Sequence, residues 1–314
     1  MRKKRILVTG GSGFIGKNLV LKLANMGNKV TVLDIDKDEL TKLRDHKNVN
    51  VIVGDVTKKK TYSYLPTDFE YIFHLAATVG VEYVSTHPFI TMDTEIFGIS
   101  NIVRFAIRCP NLKKVIYSST SAIYGNIKTN KQTIESIGAS HLSSYGGAKL
   151  LAEKYLSEMK HFFGINYLIV RYFNVYGRFQ KEKMVIPLFF SQALSEKPII
   201  VFGDGKQSRD FTYVEDALEA TIKLADSRHL NGDIFNIGTG NSTRILDLAK
   251  EIKIITHSNS PIVLTKPPEN RKEYEIERRV CNNKKLKDAI NFSFNTTLHQ
   301  GLKKTLYWIK NPDY

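Results

Sequence analysis

The stretch Thr9-Gly10-Gly11-Ser12-Gly13-Phe14-Ile15-Gly16 limits what this chain can fold into more than any other. Ile6-Leu7-Val8 ahead of it is a short apolar run of strand type, and Asn18 to Leu23 behind it has the spacing of an amphipathic helix. The glycines therefore fall on a strand-to-helix turn. Gly10, Gly13 and Gly16 permit the tight turn, the close approach of a pyrophosphate to backbone N–H groups, and close packing of the helix on a sheet. Phe14 and Ile15 open the helix, whose unpaired donors and positive dipole end face the anion. An isolated glycine cluster can equally be an ordinary loop, but here a second strand, Lys29 to Leu33, follows and ends in Asp34. That is where a dinucleotide fold places the carboxylate that accepts from the adenosine ribose hydroxyls. A carboxylate there repels a 2′-phosphate, so NAD is expected over NADP.

Strand and helix alternate through the first half of the chain. Val49 to Val53 runs into Gly54-Asp55-Val56, and the end of such a strand lines a ligand crevice, so Asp55 and Val56 are expected at the adenine. A plain turn after a strand is the rival reading of that pair. Tyr71 to His74 leads into Leu75-Ala76-Ala77, whose small residues let the backbone approach a cofactor. His74, flanked by apolar neighbours, is expected to be packed or hydrogen-bonded rather than a ligand. A polar helix is expected around Lys37 to Asp45 and longer helices over Thr94 to Ile107 and Leu150 to Phe162, with strands at Lys114 to Ser118 and Tyr167 to Arg171. This order predicts an α/β fold, a Rossmann-type doubly wound parallel sheet covered on both faces. After Arg171 the elements shorten, which predicts a smaller, partly interleaved C-terminal α/β substrate domain. The expected division is residues 1–173 for the cofactor and 174–314 for the substrate, with some segments returning to the first part.

Composition narrows the function classes. At 314 residues and 42% hydrophobic content the chain can bury a real core. No stretch approaches the apolar length of a membrane span, and the apolar run behind Met1-Arg2-Lys3-Lys4-Arg5 lasts only three residues, so a cytoplasmic protein is expected. Cys109 and Cys281 lack the spacing of a zinc site, and no metal is expected. The net charge of +15 raises the question of nucleic acid, but the basic residues are dispersed and only Lys58-Lys59-Lys60 and the N-terminal cluster form runs. Nucleic-acid binding is therefore not expected, and a basic surface that attracts small anions is.

Tyr145 and Lys149 stand four residues apart, hence on one helix face, and follow a strand that ends in Ser118-Ser119-Thr120 at the crevice. A tyrosine that serves as base near neutral pH must ionise about three units below its ordinary value near 10, which asks about 4 kcal/mol of its surroundings. The Lys149 ammonium and an oxidised nicotinamide ring both favour phenolate. Thr120 can hold a substrate hydroxyl beside it.

The ordered set made by the glycine turn, Asp34, Asp55, His74-Leu75-Ala76-Ala77, Ser118-Ser119-Thr120, Tyr145-x-x-x-Lys149, Arg171 to Gly177, Gly203-Asp204-Gly205, Arg209-Asp210-Phe211 and Asn236-Ile237-Gly238 resembles the extended short-chain dehydrogenase/reductase family. Within it the chain is similar to the nucleotide-sugar epimerases and dehydratases. The resemblance implies that Thr120, Tyr145 and Lys149 are catalytic, with Lys149 also on the nicotinamide ribose. It implies Ser118 and Tyr172 near the cofactor, Asn174 and Arg209 on the nucleotide diphosphate, Val201 and Phe202 near the base, Arg271 on a phosphate, and a homodimer through paired helices. Arg278 falls near the position where relatives gate the sugar pocket, and Glu95 stands where they often carry Asn.

The resembling dehydratases carry Asp-Glu directly after the Thr, and the decarboxylases a Glu two positions after it; here those positions are Ser121 and Ala122. The resulting expectation is an NAD-dependent 4-epimerase of a nucleotide-diphosphate hexose, a UDP-hexose or its N-acetyl or uronic acid form. A 4,6-dehydratase, a decarboxylase, a reductase and a non-enzymatic cofactor-sensing regulator are the alternatives. Glu95 and Glu135 are the carboxylates that could overturn that reading.

Overall fold

The computed structural model describes residues 1–125, 135, 143–268 and 276–312. The chain opens with β1 (Arg5–Thr9), α1 (Phe14–Asn25), β2 (Lys29–Asp34), α2 (Lys37–Thr41), β3 (Val49–Val53) and β4 (Tyr71–His74). There follow α3 (Val81–Thr86), α4 (Pro88–Ile107), β5 (Lys114–Thr120), α5 (Ser144–Phe163) and β6 (Tyr167–Tyr172). Six of these strands and a later one form a seven-stranded parallel sheet in the order β11-β6-β5-β4-β1-β2-β3, where β11 is Asp233–Ile237. The strands are apolar runs because both faces of a parallel sheet are covered by helices. Their alternate residues then feed two cores. Ile6 and Val8 point with Leu19, Leu23 and Val32 into one, and Leu7 points with Leu33, Ile72, Ile102 and Tyr117 into the other.

The order places a reversal between β1 and β4. From β1 the chain moves outward through β2 and β3, then returns to the other side of β1 and continues through β4, β5 and β6. A crevice opens outside the carboxyl ends of the strands at such a switch point, and the glycine turn after β1 lies there.

The remainder comprises β7 (Asn174–Tyr176), α6 (Val185–Leu194), β8 (Ile199–Phe202), β9 (Ser208–Arg209), β10 (Phe211–Tyr213) and α7 (Val214–Asp226). After β11 come β12 (Thr243–Arg244), α8 (Ile245–Thr256), β13 (Ile262–Thr265), β14 (Arg278–Arg279) and the helices Lys284–Ile290 and Leu298–Lys310. Short pairs β7–β10 and β8–β13 and the triplet β12-β9-β14 make up the smaller layer.

Three helices differ from expectation. α5 starts at Ser144 rather than Leu150, and the Ser143 hydroxyl caps it there. α2 stops at Thr41, with Leu40 as its buried residue, so it lacks the apolar stripe that would extend it. α4 starts at Pro88 rather than Thr94: proline at the first position needs no N–H partner, and the Thr91 and Thr94 hydroxyls donate back to the carbonyls of His87 and Ile90. Among the described residues no helix is long and apolar enough to cross a membrane, and no group of His, Cys, Asp or Glu could hold a metal ion. Both cysteines are free and buried.

Candidate active site

At the glycine turn the backbone is packed as closely as its residues allow. Gly10 has φ +70°, and a Cβ there would stand 2.5 Å from the backbone nitrogen of Ala76; a Cβ on Gly16 would stand 2.0 Å from the Gly10 carbonyl oxygen. Gly13 is the N-cap of α1 and no side chain caps the helix, so its first N–H groups have no side-chain acceptor. Phe14 and Ile15 lie half-buried against the core behind the turn. Asp34, at the end of β2, accepts from the Ser12 N–H at 3.0 Å and from the Asp36 N–H at 3.2 Å. An uncapped helix start with a carboxylate tied to its turn fits a pyrophosphate and an adenosine ribose, the two ends of a dinucleotide's polar half.

The neighbouring strand ends close the cradle. Asp55 caps its own turn by accepting from the Thr57 N–H at 2.8 Å. The Val56 side chain is buried in the second core and its carbonyl accepts from Asn101 at 3.0 Å. Val56 therefore turns its side chain into the core rather than to the crevice. Leu75, Ala76 and Ala77 follow β4 half-buried, with the Leu75 N–H on the Thr9 carbonyl at 3.0 Å. His74 is packed, as expected: it is fully buried, its Nδ1 lies 2.6 Å from the Thr9 hydroxyl, and burial lowers its pKa to about 3, so it stays neutral.

β5 and α5 bring Thr120, Tyr145 and Lys149 together. The Ser143 hydroxyl caps α5 by accepting from the Gly146 N–H at 3.1 Å, which fixes the N-cap two residues before Tyr145. Tyr145 shares a side-chain hydrogen bond with Thr120, whose Oγ1 also accepts from the Ala122 N–H at 3.1 Å. Lys149 Nζ donates to the Ser118 carbonyl at 2.7 Å and lies 3.1 Å from Glu95 Oε2, with the Tyr117 ring 4.7 Å away and the Tyr145 ring 5.8 Å away. Glu95 Oε2 also accepts from the Tyr117 hydroxyl at 2.8 Å.

The electrostatics here differ from the simple expectation. Burial, then the Glu95 carboxylate, push the Tyr145 phenol above its ordinary value, and only the Thr120 hydrogen bond pulls it down. The lysine does not act on the phenol as a lone cation, because a carboxylate accompanies it.

A second network supports the same strand ends. Arg171 donates from Nε to Glu153 Oε1 at 2.9 Å and from Nη2 to Glu153 Oε2 at 2.6 Å, and Nη1 donates to the Tyr124 hydroxyl at 2.8 Å. Ser119 donates to the same carboxylate. Tyr124 donates to Asn236 Oδ1 at 2.7 Å, and Glu135 Oε1 accepts from the Asn236 N–H at 2.9 Å. Glu153 was missed from sequence, although it continues the Tyr145 and Lys149 face at four-residue spacing and Arg171 is the lone charge in an apolar strand.

Further out, the expected residues separate. The Tyr172 hydroxyl is committed to Thr221 at 2.8 Å in the core under α7, so this residue brings only main chain to the strand ends. Val201 is fully buried and cannot pack on a base; Phe202, its neighbour on the opposite face of β8, is half-buried and keeps that option. Asn174 Oδ1 is buried without a hydrogen-bond partner among the described residues. Arg209 donates to the Ser208 and Ile276 carbonyls and pairs in register with Arg279, whose own pKa falls to about 9 through burial and the nearby Arg209 charge. Arg278 lies half-buried on β14. Arg271 lies outside the described residues.

A family model described as the NAD dependent epimerase/dehydratase family matches residues 6–238. The chain is 36% identical to a UDP-N-acetyl-alpha-D-glucosaminuronate decarboxylase of Bacillus cytotoxicus, an alignment that covers 98% of each chain. Among solved structures it resembles the UDP-N-acetylglucosamine 4-epimerase of Methanobrevibacter ruminantium M1 in complex with UDP-N-acetylmuramic acid, with TM-score 0.91, 31% identity, and 99% and 100% of the two chains covered. The UDP-glucose 4-epimerase of Thermus thermophilus in complex with NAD matches with TM-score 0.86 and 25% identity over 98% and 99% of the two chains.

Proposed function

The chain belongs to the NAD dependent epimerase/dehydratase family, and we propose that it is the 4-epimerase of a nucleotide-diphosphate hexose, a UDP-hexose or its N-acetyl or uronic acid form. The observation that carries this reading is the grouping of Thr120, Tyr145 and Lys149 with no acid–base group directly after Thr120: Ser121 is buried and Ala122 has no polar side-chain atom. NAD, which the glycine turn and Asp34 would hold, would supply reversible hydride chemistry at C4. Thr120 holds the 4-hydroxyl, and Tyr145 takes its proton and later gives one back. Lys149 bonds the nicotinamide ribose. The division of labour is residues 1–173 for NAD and 174–314 for the nucleotide sugar, with Asn174, Phe202, Arg209 and Arg271 on the nucleotide side.

Elimination of water across C5 and C6 needs a base and an acid beyond Tyr145. The two carboxylates considered for that role are each engaged through one oxygen: Glu95 Oε2 with Lys149 and Tyr117, and Glu135 Oε1 with the Asn236 N–H. Return of hydride to the opposite face is then the open exit for the 4-keto sugar.

A decarboxylase is the second reading, favoured by the decarboxylase name of the 36% identical relative. A uronic acid oxidised at C4 is a β-keto acid, which loses carbon dioxide as the C5–C6 electron pair moves toward the C4 carbonyl. Incubation with UDP-glucose, UDP-N-acetylglucosamine and UDP-glucuronate, with products resolved by NMR, separates the two. The expected result is an equilibrating pair of C4 epimers with C6 retained; a pentose or 4-keto-6-deoxy product formed at a comparable rate overturns it.

The protein acts as a homodimer in this reading. α4 and α5 pack side by side and leave Phe89, Phe97, Leu151 and Phe162 exposed, an apolar face that a second copy would cover. Light scattering is expected to report twice the 35.7 kDa chain mass; a monomer at micromolar concentration rejects the pairing.

A further inference from the structure

Glu95 is a charged group in the site that the proposed chemistry does not use, and its position is costly. It is fully buried in the middle of α4, and its Oε1 has no hydrogen-bond partner among the described residues. Burial pushes the Glu95 carboxyl above its ordinary range, and it is drawn back toward the ionised form by Lys149, whose side chain is 1% exposed, and by the Tyr117 hydroxyl. Lys149 Nζ is held from two sides, by the Ser118 carbonyl at 2.7 Å and by Glu95 at 3.1 Å.

We propose that Glu95 is a positioning residue for Lys149: it draws the ammonium onto the Ser118 carbonyl and cancels its charge toward Tyr145, so that this site works in a more alkaline window than one with a neutral side chain at position 95. The assignment of Tyr145 and Lys149 to catalysis is the reading it rests on.

The physical argument is one of net charge in a small dry space. An unpaired cation within about 4–6 Å moves an acidic group down by about 1–3 pH units, and a carboxylate beside that cation removes much of the effect. The groups around the pair add little compensating positive charge. From β5, Tyr117 donates its hydroxyl to Glu95 and so favours the carboxylate. From β4, His74 stacks on Tyr117 with ring centroids 5.9 Å apart and stays neutral. From α5, Glu153 is spent on Arg171. On α3, Glu82 and His87 at its C-cap are exposed, as is Asp93 on α4 itself. Lys149, 5.8 Å from the Tyr145 ring, and Glu95, paired with it, are thus opposite charges beside that phenol. The direction found for Tyr145, raised by burial and then by Glu95, agrees with the geometry.

The base form of Tyr145 is the phenolate, so a carboxylate that disfavours it moves the acid limb of the kcat/KM profile to higher pH. Removal of the carboxylate charge moves that limb back.

The test reads Tyr145 itself, by ultraviolet difference titration of the phenolate in the NAD-loaded protein with no sugar present, with Tyr145→Phe as the blank. Glu95→Gln and Glu95→Asn are each expected to lower the midpoint by about one unit or more relative to wild type, and Glu95→Asp to preserve it. Tyr117→Phe, which weakens the hold on the carboxylate, is expected to shift it the same way by less, and it keeps the test open should a Glu95 variant misfold. The acid limb of kcat/KM should move in parallel. Midpoints for Glu95→Gln and Tyr117→Phe both within about 0.3 unit of wild type, a twofold change in ionisation, overturn the proposal. Because the titration needs no substrate turnover, a failed epimerase assignment leaves its result standing.

Discussion

Tyr145→Phe is expected to keep the fold and lose about 10²–10⁴-fold in kcat, the range in which a positioned proton acceptor contributes. The substitution removes one oxygen from a ring that remains packed at the start of α5. The structural loss is the hydrogen bond with Thr120, about 1 kcal/mol, which a domain with the two cores described above can absorb. Thr120 keeps its second role, as acceptor for the Ala122 N–H, so the turn after β5 stays in place. Cofactor affinity should change little, because the glycine turn, Asp34 and Lys149 are untouched. A variant that turns over within about tenfold of wild type would show that another group takes the proton.

The largest expected effect on stability is at a residue outside the proposed chemistry. Glu153→Ala is expected to destabilise the fold by about 3–5 kcal/mol, the range for removing one member of a buried ion pair. Arg171 and Glu153 have side chains 6% and 3% exposed, and the guanidinium makes two parallel hydrogen bonds to the carboxylate. Without Glu153 the cation is left with Tyr124 and the Glu135 carbonyl, and Ser119 loses its acceptor. The double variant Glu153→Leu/Arg171→Met should recover most of the loss, since a buried pair replaced by apolar side chains of similar volume is often near neutral. Chemical denaturation of both variants checks this. A single variant within about 1 kcal/mol of wild type, or a double variant no better than the single, would show that water reaches Arg171.

The contrast between these two residues explains what could be read from the chain before its structure. Tyr145 and Lys149 lie on one helix, the glycine turn is a contiguous string, and β1 to β6 are apolar runs separated by helices. Each is a local pattern, and local patterns are legible. The partners of Arg171 and Lys149 are not local: Glu153 reaches Arg171 across an element boundary, and Glu95 meets Lys149 from a different helix. Glu95 was visible as an odd residue for its position, but only the packing of α4 against α5 shows that it sits on the lysine. Val201 and Phe202 show a finer limit. Both belong to one short strand, and which of them faces outward depends on how β8 docks through β13, a pairing of residues more than sixty positions apart. α4 begins six residues before the expected Thr94, and there the Thr91 and Thr94 hydroxyls are satisfied inside the helix by the His87 and Ile90 carbonyls.

The outer strand β11 has a consequence for the order in which the protein can be made. Its residues 233–237 pair with β6, yet they follow β7, β8, β9, β10 and two helices in the chain. On a ribosome that delivers the chain from its N-terminus, the nascent sheet waits with one edge of Tyr167–Tyr172 unpaired until the 237th residue has emerged. An unpaired apolar edge is a template for association with other chains. The interval between β6 and β11 is therefore the stretch of synthesis in which the unfinished polypeptide most needs shelter, and truncation anywhere within it would leave the edge permanently open.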